Sequence, residues 1–305
     1  MSLSTLDVSM GQPSRTGGWG GFATGRSIVR RPRILFSLTV IALVIVCAAI
    51  PNVFAPYDPL KLDLAARLAA PLSGSGNMHL LGTDTLGRDL LSRIIYGARV
   101  SAVVGTTAVL LAGFIGVLLG LLAGFYGGLP DASISRLSDI VLAVPYLVLA
   151  IGVVAVVGGG LATVVAVLAL TTWVTYSRIV RSEVLTIRHS EFIEAARASG
   201  ATPARVMFGH ILPNISSSII VVASQQLAAM ILFEAALSFL GLGVKPPTPS
   251  WGGMVADGRL YLAQAWWAST LPGIAILLTV LATNWLGDWV RDTLDPRRIR
   301  VGSFE

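Results

Sequence analysis

Long apolar runs constrain this chain more than any other feature of its sequence. A helix needs roughly 20 apolar residues to cross the hydrocarbon core of a bilayer. Six runs of about that length cover approximately residues 34–55, 100–125, 138–158, 161–181, 216–241 and 271–290. Each run is continuous, whereas a strand of a membrane barrel alternates over about ten residues. We therefore expect an all-α membrane protein with six transmembrane helices.

Composition agrees with this fold class. Of the 305 residues, 54% are hydrophobic and only 12% are charged, against about 25% charged in soluble domains. A net charge of +6 is compatible with nucleic-acid binding. However, the arginines lie in short segments between the apolar runs, where membrane topology explains them better.

The distribution of Lys and Arg predicts the orientation, because these residues favour cytoplasmic loops. With the N-terminus inside, 15 of the 22 Lys and Arg residues lie in inner segments and 7 lie in outer segments. Both termini are therefore expected in the cytoplasm. The first apolar run follows "RRPR", and it is too long for a signal peptide, so we expect it to be retained as a helix.

Four segments follow from this topology. Residues 1–30 form a cytoplasmic tail, largely disordered because it is rich in Ser, Gly and Thr. Residues 31–98 hold the first transmembrane helix and an extracellular segment. Residues 99–290 form the membrane core, and residues 291–305 a cytoplasmic tail.

A glycine stripe marks the second run. Gly116, Gly120 and Gly124 recur every four residues, so they share one helix face on which another backbone can approach closely. Packing within the subunit is the favoured interpretation. A subunit interface or a pore-lining face is the alternative.

The segment before that run, residues 79–101, contains two acid-before-base pairs, Asp84–Arg88 and Asp89–Arg93. Pairs at this spacing support a helix. We expect an amphipathic helix on the outer membrane face, which either docks the loop or contacts a partner.

Polar residues also occur within the apolar runs. The fourth run ends in "TTWVTYSR", where Thr172 and Tyr176 either bond between helices or line a wet pore. The fifth run carries Glu234, and an acid at membrane depth is a functional candidate by default. Its position near the outer end favours a structural hydrogen bond to the Gly-rich turn that follows.

A polar insert, "EFIEAARASGATPARVMFGHILPN", separates the fourth and fifth runs. We expect a helix over 184–199, ended by Gly200 in the left-handed conformation. Thr202 should cap the next short helix with Pro203 at its first position, and Pro213 should break that helix at the membrane entry. Glu194 can pair with Arg197 or hold the amides of the loop. Such a structured turn suggests docking, although a rigid linker is the alternative.

No catalytic or metal-binding motif emerges. The only lysines, Lys61 and Lys245, do not lie in a GxxxxGK[ST] loop, so the chain is not a P-loop ATPase by itself. Cys47 is the single cysteine, and His79, His189 and His210 are scattered.

The insert resembles the EAA loop of permeases of ATP-binding cassette (ABC) importers. The matching residues are Glu194, Ala195, Ala196, Gly200 and Pro213, with His210 at a position that is often isoleucine. Three further stretches are similar to the C-type subunit of dipeptide, oligopeptide and nickel importers. They are "HLLGTDTLGRDLLSRIIYGAR", "EAALSFLGLGVKPPTPSWG" and "GDWVRDTLDPR".

This resemblance implies a type I importer (MetI-like) permease that works by alternating access in the cell membrane, with residues 99–290 as its core. The coupling loop would comprise Glu194, Ala195, Ala196, Gly200, Thr202, Pro203, His210 and Pro213. The implied partners are a second related permease, two ATP-binding subunits and an extracellular substrate-binding protein. ATP and Mg would be used by those subunits, and no cofactor is expected on this chain. The implied cargo is a peptide, with nickel chelates and glutathione-like compounds left open.

Two other function classes, an ion-coupled secondary transporter and an intramembrane enzyme, fit the sequence less well. An ion-coupled secondary transporter would need ionisable groups at mid-membrane, and no run has one at its centre. An intramembrane enzyme would need a catalytic set, and the runs contain neither a Ser/His/Asp set nor HExxH.

Overall fold

The computed structural model describes residues 32–73 and 78–294. Within these ranges the chain is built from helices and loops, and an isolated bridge between Thr83 and Asp89 is the one β-type pairing there. The helices are α1 Pro32–Ala49, α2 Pro51–Phe54, α3 Leu90–Tyr126, α4 Gly128–Ala143, α5 Tyr146–Val157, α6 Leu161–Ile187, α7 Glu191–Ala198, α8 Pro203–Arg205, α9 Leu212–Phe239, α10 Trp251–Gly258 and α11 Trp267–Leu294. The predicted tail 1–30 lies outside the described residues, as do residues 295–305.

Five helical stretches among the described residues are long and apolar enough to cross a membrane. They are α1, α3, α6, α11 and the continuous stretch Pro203–Phe239, which contains α8 and α9. The prediction of one continuous helix over 138–158 is wrong, because α4 and α5 meet there at 88°. Pro145 explains the break, since a proline disfavours the helical conformation of the residue before it, and Val144 is extended with φ −98° and ψ 122°. The six predicted spans are therefore present if the bent pair counts as one.

The amphipathic helix predicted over residues 79–101 is wrong for residues 79–89, whereas residues 90–101 are helical as the first turns of α3. Gly82 and Gly87 adopt positive φ values of 79° and 74°, which a helix does not contain. Asp89 instead caps α3 through a 2.8 Å hydrogen bond from the Ser92 amide, a bond typical of a helix start. Arg93 consequently pairs with Asp84 at 3.3 Å and not with Asp89.

The centre of the bundle is the contact between α3 and α6. A Cβ added at Gly120 would lie 2.6 Å from the Ser177 carbonyl oxygen, and one added at Gly124 would lie 2.7 Å from Cβ of Val184. Gly116 faces the Trp173 carbonyl in the same way. All three glycines are buried within this chain, so the stripe packs inside the subunit and does not offer a free interface or pore face.

The glycine contact can be tested at its middle position. Gly120→Ala places a methyl group against a backbone oxygen that cannot rotate away, and overpacking of this kind costs about 1–3 kcal/mol. We expect a lower thermal unfolding midpoint in detergent.

Gly273→Ala is the matched control, because a Cβ there meets nothing within 4 Å. Gly105, eleven residues before Gly116 on α3, is a poorer control because it packs on Ile231 and Leu227 at 3.1 and 3.2 Å. Equal midpoints for Gly120→Ala and Gly273→Ala would contradict the close contact.

Candidate functional site

The polar insert forms an exposed turn between α6 and α9. The single helix predicted over 184–199 is wrong, because α6 ends at Ile187 and α7 begins at Glu191. Ser190 lies between them in an extended conformation, with φ −71° and ψ 151°. Its hydroxyl donates a 2.6 Å hydrogen bond to the Ile187 carbonyl, which competes with continuation of the helix.

The end of α7 matches the prediction closely. Gly200 has φ +82°, and its amide donates to the Arg197 carbonyl at 2.9 Å. The Ala201 amide donates to the Ala196 carbonyl at 3.1 Å. Together these bonds form a Schellman motif, the arrangement that ends a helix with a left-handed residue.

The start of α8 is also confirmed. Thr202 Oγ1 accepts a 3.3 Å hydrogen bond from the Arg205 amide, and Pro203 lies at the first helical position. This proline loses no hydrogen bond there, because that amide has no partner within a helix. The direction of the chain out of the turn is thus fixed by local chemistry.

The predicted break at Pro213 is wrong. The helical stretch runs from Pro203 to Phe239 without interruption, and Val206–Ile211 forms a π-helical turn just before the proline. The Leu212 amide therefore donates to the Met207 carbonyl. The wider turn changes the register of the carbonyls that the proline ring would otherwise meet.

One side chain anchors α7 to the bundle. Ile193 is fully buried and belongs to an apolar cluster with Leu121, Val184, Val206 and Ile211. This cluster joins α3, α6 and α7 to the π-helical turn. The turn is therefore a fixed projection of the bundle.

Two arginines connect the insert to the end of α3. Arg188 Nη1 donates to the Gly124 carbonyl at 3.0 Å, and the Arg197 guanidinium lies 5.1 Å from the centre of the Phe125 ring. Arg197 thus takes a cation–π contact instead of the possible pair with Glu194. Neither link is predictable from sequence spacing, because both join residues more than 60 positions apart.

The opposite face of the insert is exposed. Phe192 and Phe208 are 46% and 49% exposed, and Glu194 and Ala195 are exposed between them along the chain. Ala196 and His210 are half-buried. Exposed aromatic side chains beside small residues on a fixed element are typical of a docking surface.

The predicted pore or interface residues on α6 lie inside the chain. Thr172 Oγ1 lies 3.8 Å from the Met230 sulfur. Tyr176 is 1% exposed and packs beside Gly113 and Gly116 of α3. Both residues therefore mediate helix packing within this chain.

Glu234 is fully buried and accepts two hydrogen bonds. Its donors are the hydroxyl groups of Ser238 at 2.7 Å and Ser101 at 3.2 Å. The predicted bond to the Gly-rich turn is replaced by these partners, one of which lies on α3. Glu234 thus links α9 to α3, and sequence patterns missed Ser101 because it lies 133 residues away.

Comparison with known proteins gives the family. The family described as binding-protein-dependent transport system inner membrane component matches residues 116–300, which include the whole α7–α8 turn. This chain belongs to that family. It is a multi-pass membrane permease component of a transport system.

Several relatives resemble this permease over most of its length. It is 44% identical to the di/tripeptide transport system permease protein DppC of Pseudomonas aeruginosa, over 92% of this chain and 91% of that protein. It is 40% identical to the glutathione transport system permease protein GsiD of Pectobacterium atrosepticum, over 97% and 96%. Its fold is similar to that of a chain of the MetNI methionine ABC transporter in an inward-facing conformation. That match has a TM-score of 0.54 and 18% identity, covering 67% of this chain and 96% of that one.

Substitutions on the buried and the exposed face of α7 in this permease should have different effects on stability. Ile193→Ala opens a cavity under α7, which costs about 2–5 kcal/mol at a buried isoleucine. Phe192→Ala removes a half-exposed ring and should leave the fold intact. We expect trypsin to cleave the Ile193→Ala protein several-fold faster at the arginines of the insert. Equal cleavage rates for the two variants would contradict the anchoring role of Ile193.

Proposed function

We propose that this permease is one subunit of an ATP-driven importer of peptides. Its partners are a second related permease, two ATP-binding subunits and an extracellular substrate-binding protein. The chain itself hydrolyses nothing, and ATP and Mg are used by the ATP-binding subunits. Alternating access of the paired permeases moves the cargo across the cell membrane.

The exposed α7–α8 turn is the observation that carries this proposal. Its docking face consists of Phe192, Glu194, Ala195 and Phe208, and we assign this face to contact with an ATP-binding subunit. Movement of α7 is transmitted to the bundle through two connections. Arg188 and Arg197 contact the end of α3, and α8 is continuous with α9 from Pro203 onward.

The names of the relatives support peptides as the cargo. The Pseudomonas relative is named for di- and tripeptides. A second candidate is a glutathione-like compound, because a relative named for glutathione transport matches 97% of this chain. Both cargos carry amide bonds and carboxylates, so they need similar chemistry in the pathway.

The proposed orientation places the α7–α8 turn and both termini in the cytoplasm. It can be tested with Leu64→Cys and Ser199→Cys, each made separately with Cys47→Ala. Both positions are exposed, and they lie on opposite sides of the proposed membrane. In intact cells, an impermeant thiol reagent should label only the first variant. Labelling of the second but not the first would reverse the topology.

Two substitutions in the α7–α8 turn test whether it couples transport to ATP hydrolysis. Gly200→Val imposes a side chain on a left-handed backbone, which costs about 1–2 kcal/mol, and should displace α8. Glu194→Lys reverses a charge on the docking face without disturbing any hydrogen bond among the described residues. Both variants should reach the membrane yet lose the ATP hydrolysis that loaded binding protein stimulates in the purified complex.

Gly209→Val is the matched control, because a Cβ there meets only Arg205 Cγ at 3.8 Å. It should retain stimulation. If Gly200→Val and Glu194→Lys also retain normal stimulation, the insert is a passive linker.

A further inference from the structure

Two buried arginines lie at the end of α3 opposite to the α7–α8 turn. Arg88 and Arg93 are 8% and 4% exposed. Both guanidinium groups pair with Oδ2 of Asp84, from Nε of Arg88 at 2.7 Å and from Nη1 of Arg93 at 3.3 Å. The other oxygen of Asp84 accepts the amides of Leu86 and Arg88 at 2.8 and 3.0 Å. One fully engaged carboxylate thus serves two buried cations.

The second carboxylate near this pair is a poor partner. Oδ2 of Asp257 lies 4.0 Å from Nη2 of Arg88, and the Asp257 side chain is 54% exposed. Nε and Nη1 of Arg93 make no hydrogen bond with the described residues. Buried charges are normally paired and hydrogen-bonded, because an uncompensated charge in the interior is costly. Asp84 and the half-exposed Asp257 balance the two arginines in charge, but Asp257 leaves these two nitrogen atoms of Arg93 without a hydrogen-bond partner among the described residues.

A cavity of about 550 Å³ adjoins the cluster and is lined by Arg88, Arg93 and Asp257. Two further cations, Lys245 and Arg259, lie on its wall, together with hydroxyl groups that include Thr248. This volume is within the range of small-molecule sites, about 300–1,000 Å³. The basic side chains outnumber Asp257 on the wall, so an anionic group is favoured there.

We propose that this cavity binds the carboxylate of a small peptide, held between Arg88 and Arg93. This inference rests on the proposed function and assigns one site to its cargo, and in the proposed orientation the cavity lies on the extracellular side. A guanidinium matches a carboxylate with two parallel hydrogen bonds. Arg88 and Arg93 line the cavity but are only 8% and 4% exposed, so a small ligand fits this site better than a protein surface. Asp257 is the competing anion that the peptide displaces.

The test uses the whole transporter complex in lipid nanodiscs, without ATP or binding protein, and with cysteine-free partner subunits. Thr248→Cys with Cys47→Ala places a thiol on the exposed wall of the cavity. The rate of its modification by a small thiol reagent is measured with alanylalanine and with the C-terminal amide of alanylalanine. Alanylalanine should slow the modification several-fold, and the amide should not.

Two substitutions in the cavity give opposite expectations. Arg93→Gln should abolish the protection by alanylalanine. Asp257→Asn removes the competing anion and should lower the concentration needed for half-protection by several-fold. Since Asp257 is exposed, this variant should fold normally. Glu191→Gln, at an exposed acid on α7 and so outside the cavity, is the control and should leave protection unchanged.

Equal protection by the acid and the amide would overturn the proposal. So would unchanged or weaker protection in Asp257→Asn. Uptake of labelled alanylalanine by the wild-type transporter with its binding protein is measured separately. Uptake of alanylalanine without protection of the cysteine would contradict the carboxylate site alone. Protection of the cysteine without uptake would contradict the importer proposal alone.

Discussion

The close contact between α3 and α6 supports most of this structure. Helices in lipid gain no hydrophobic free energy by associating, so they depend on packing and on small residues that let backbones meet. Gly116, Gly120 and Gly124 provide that approach along three turns of α3. The last of them also supplies the carbonyl that Arg188 binds. The position of the α7–α8 turn therefore depends on the same contact that holds the bundle together.

Helix α3 connects the two chemically distinctive ends of the molecule. It contains 37 residues, which corresponds to about 55 Å at 1.5 Å per residue. Its first turns carry Arg93 beside the cationic cavity, and its last turns carry the platform for α7. A single helix thus connects the proposed carboxylate site with the proposed site of ATPase docking. A displacement of α3 would therefore move residues at both sites.

The polar residues that the apolar runs singled out lie inside this chain and not on its surface. Glu234, Thr172 and Tyr176 are buried among the helices of the same subunit. Glu234 is satisfied by two serine hydroxyl groups. Each contributes to packing or to links between helices. The exposed features, which are the face of α7 and the cationic cavity, are better guides to partners and cargo.

Local chemistry was determined by the sequence itself. The length of the apolar runs gave the membrane class and most of the spans, because a bilayer sets a minimum length. The left-handed Gly200, the Thr202 cap and Pro203 at the helix start were also predictable, because each depends on its own backbone and its nearest neighbours.

Long-range partners were decided by the tertiary structure. Only the fold placed Asp257 near Arg88, Ser101 against Glu234 and Arg197 over Phe125, since these contacts join distant parts of the chain. It also decided how two prolines act: Pro145 bends a span by 88°, whereas a π-helical turn accommodates Pro213. A proline removes a helical hydrogen bond in both places, but the chain before it is extended at Val144 and π-helical at Val206–Ile211, and sequence spacing does not distinguish these two outcomes.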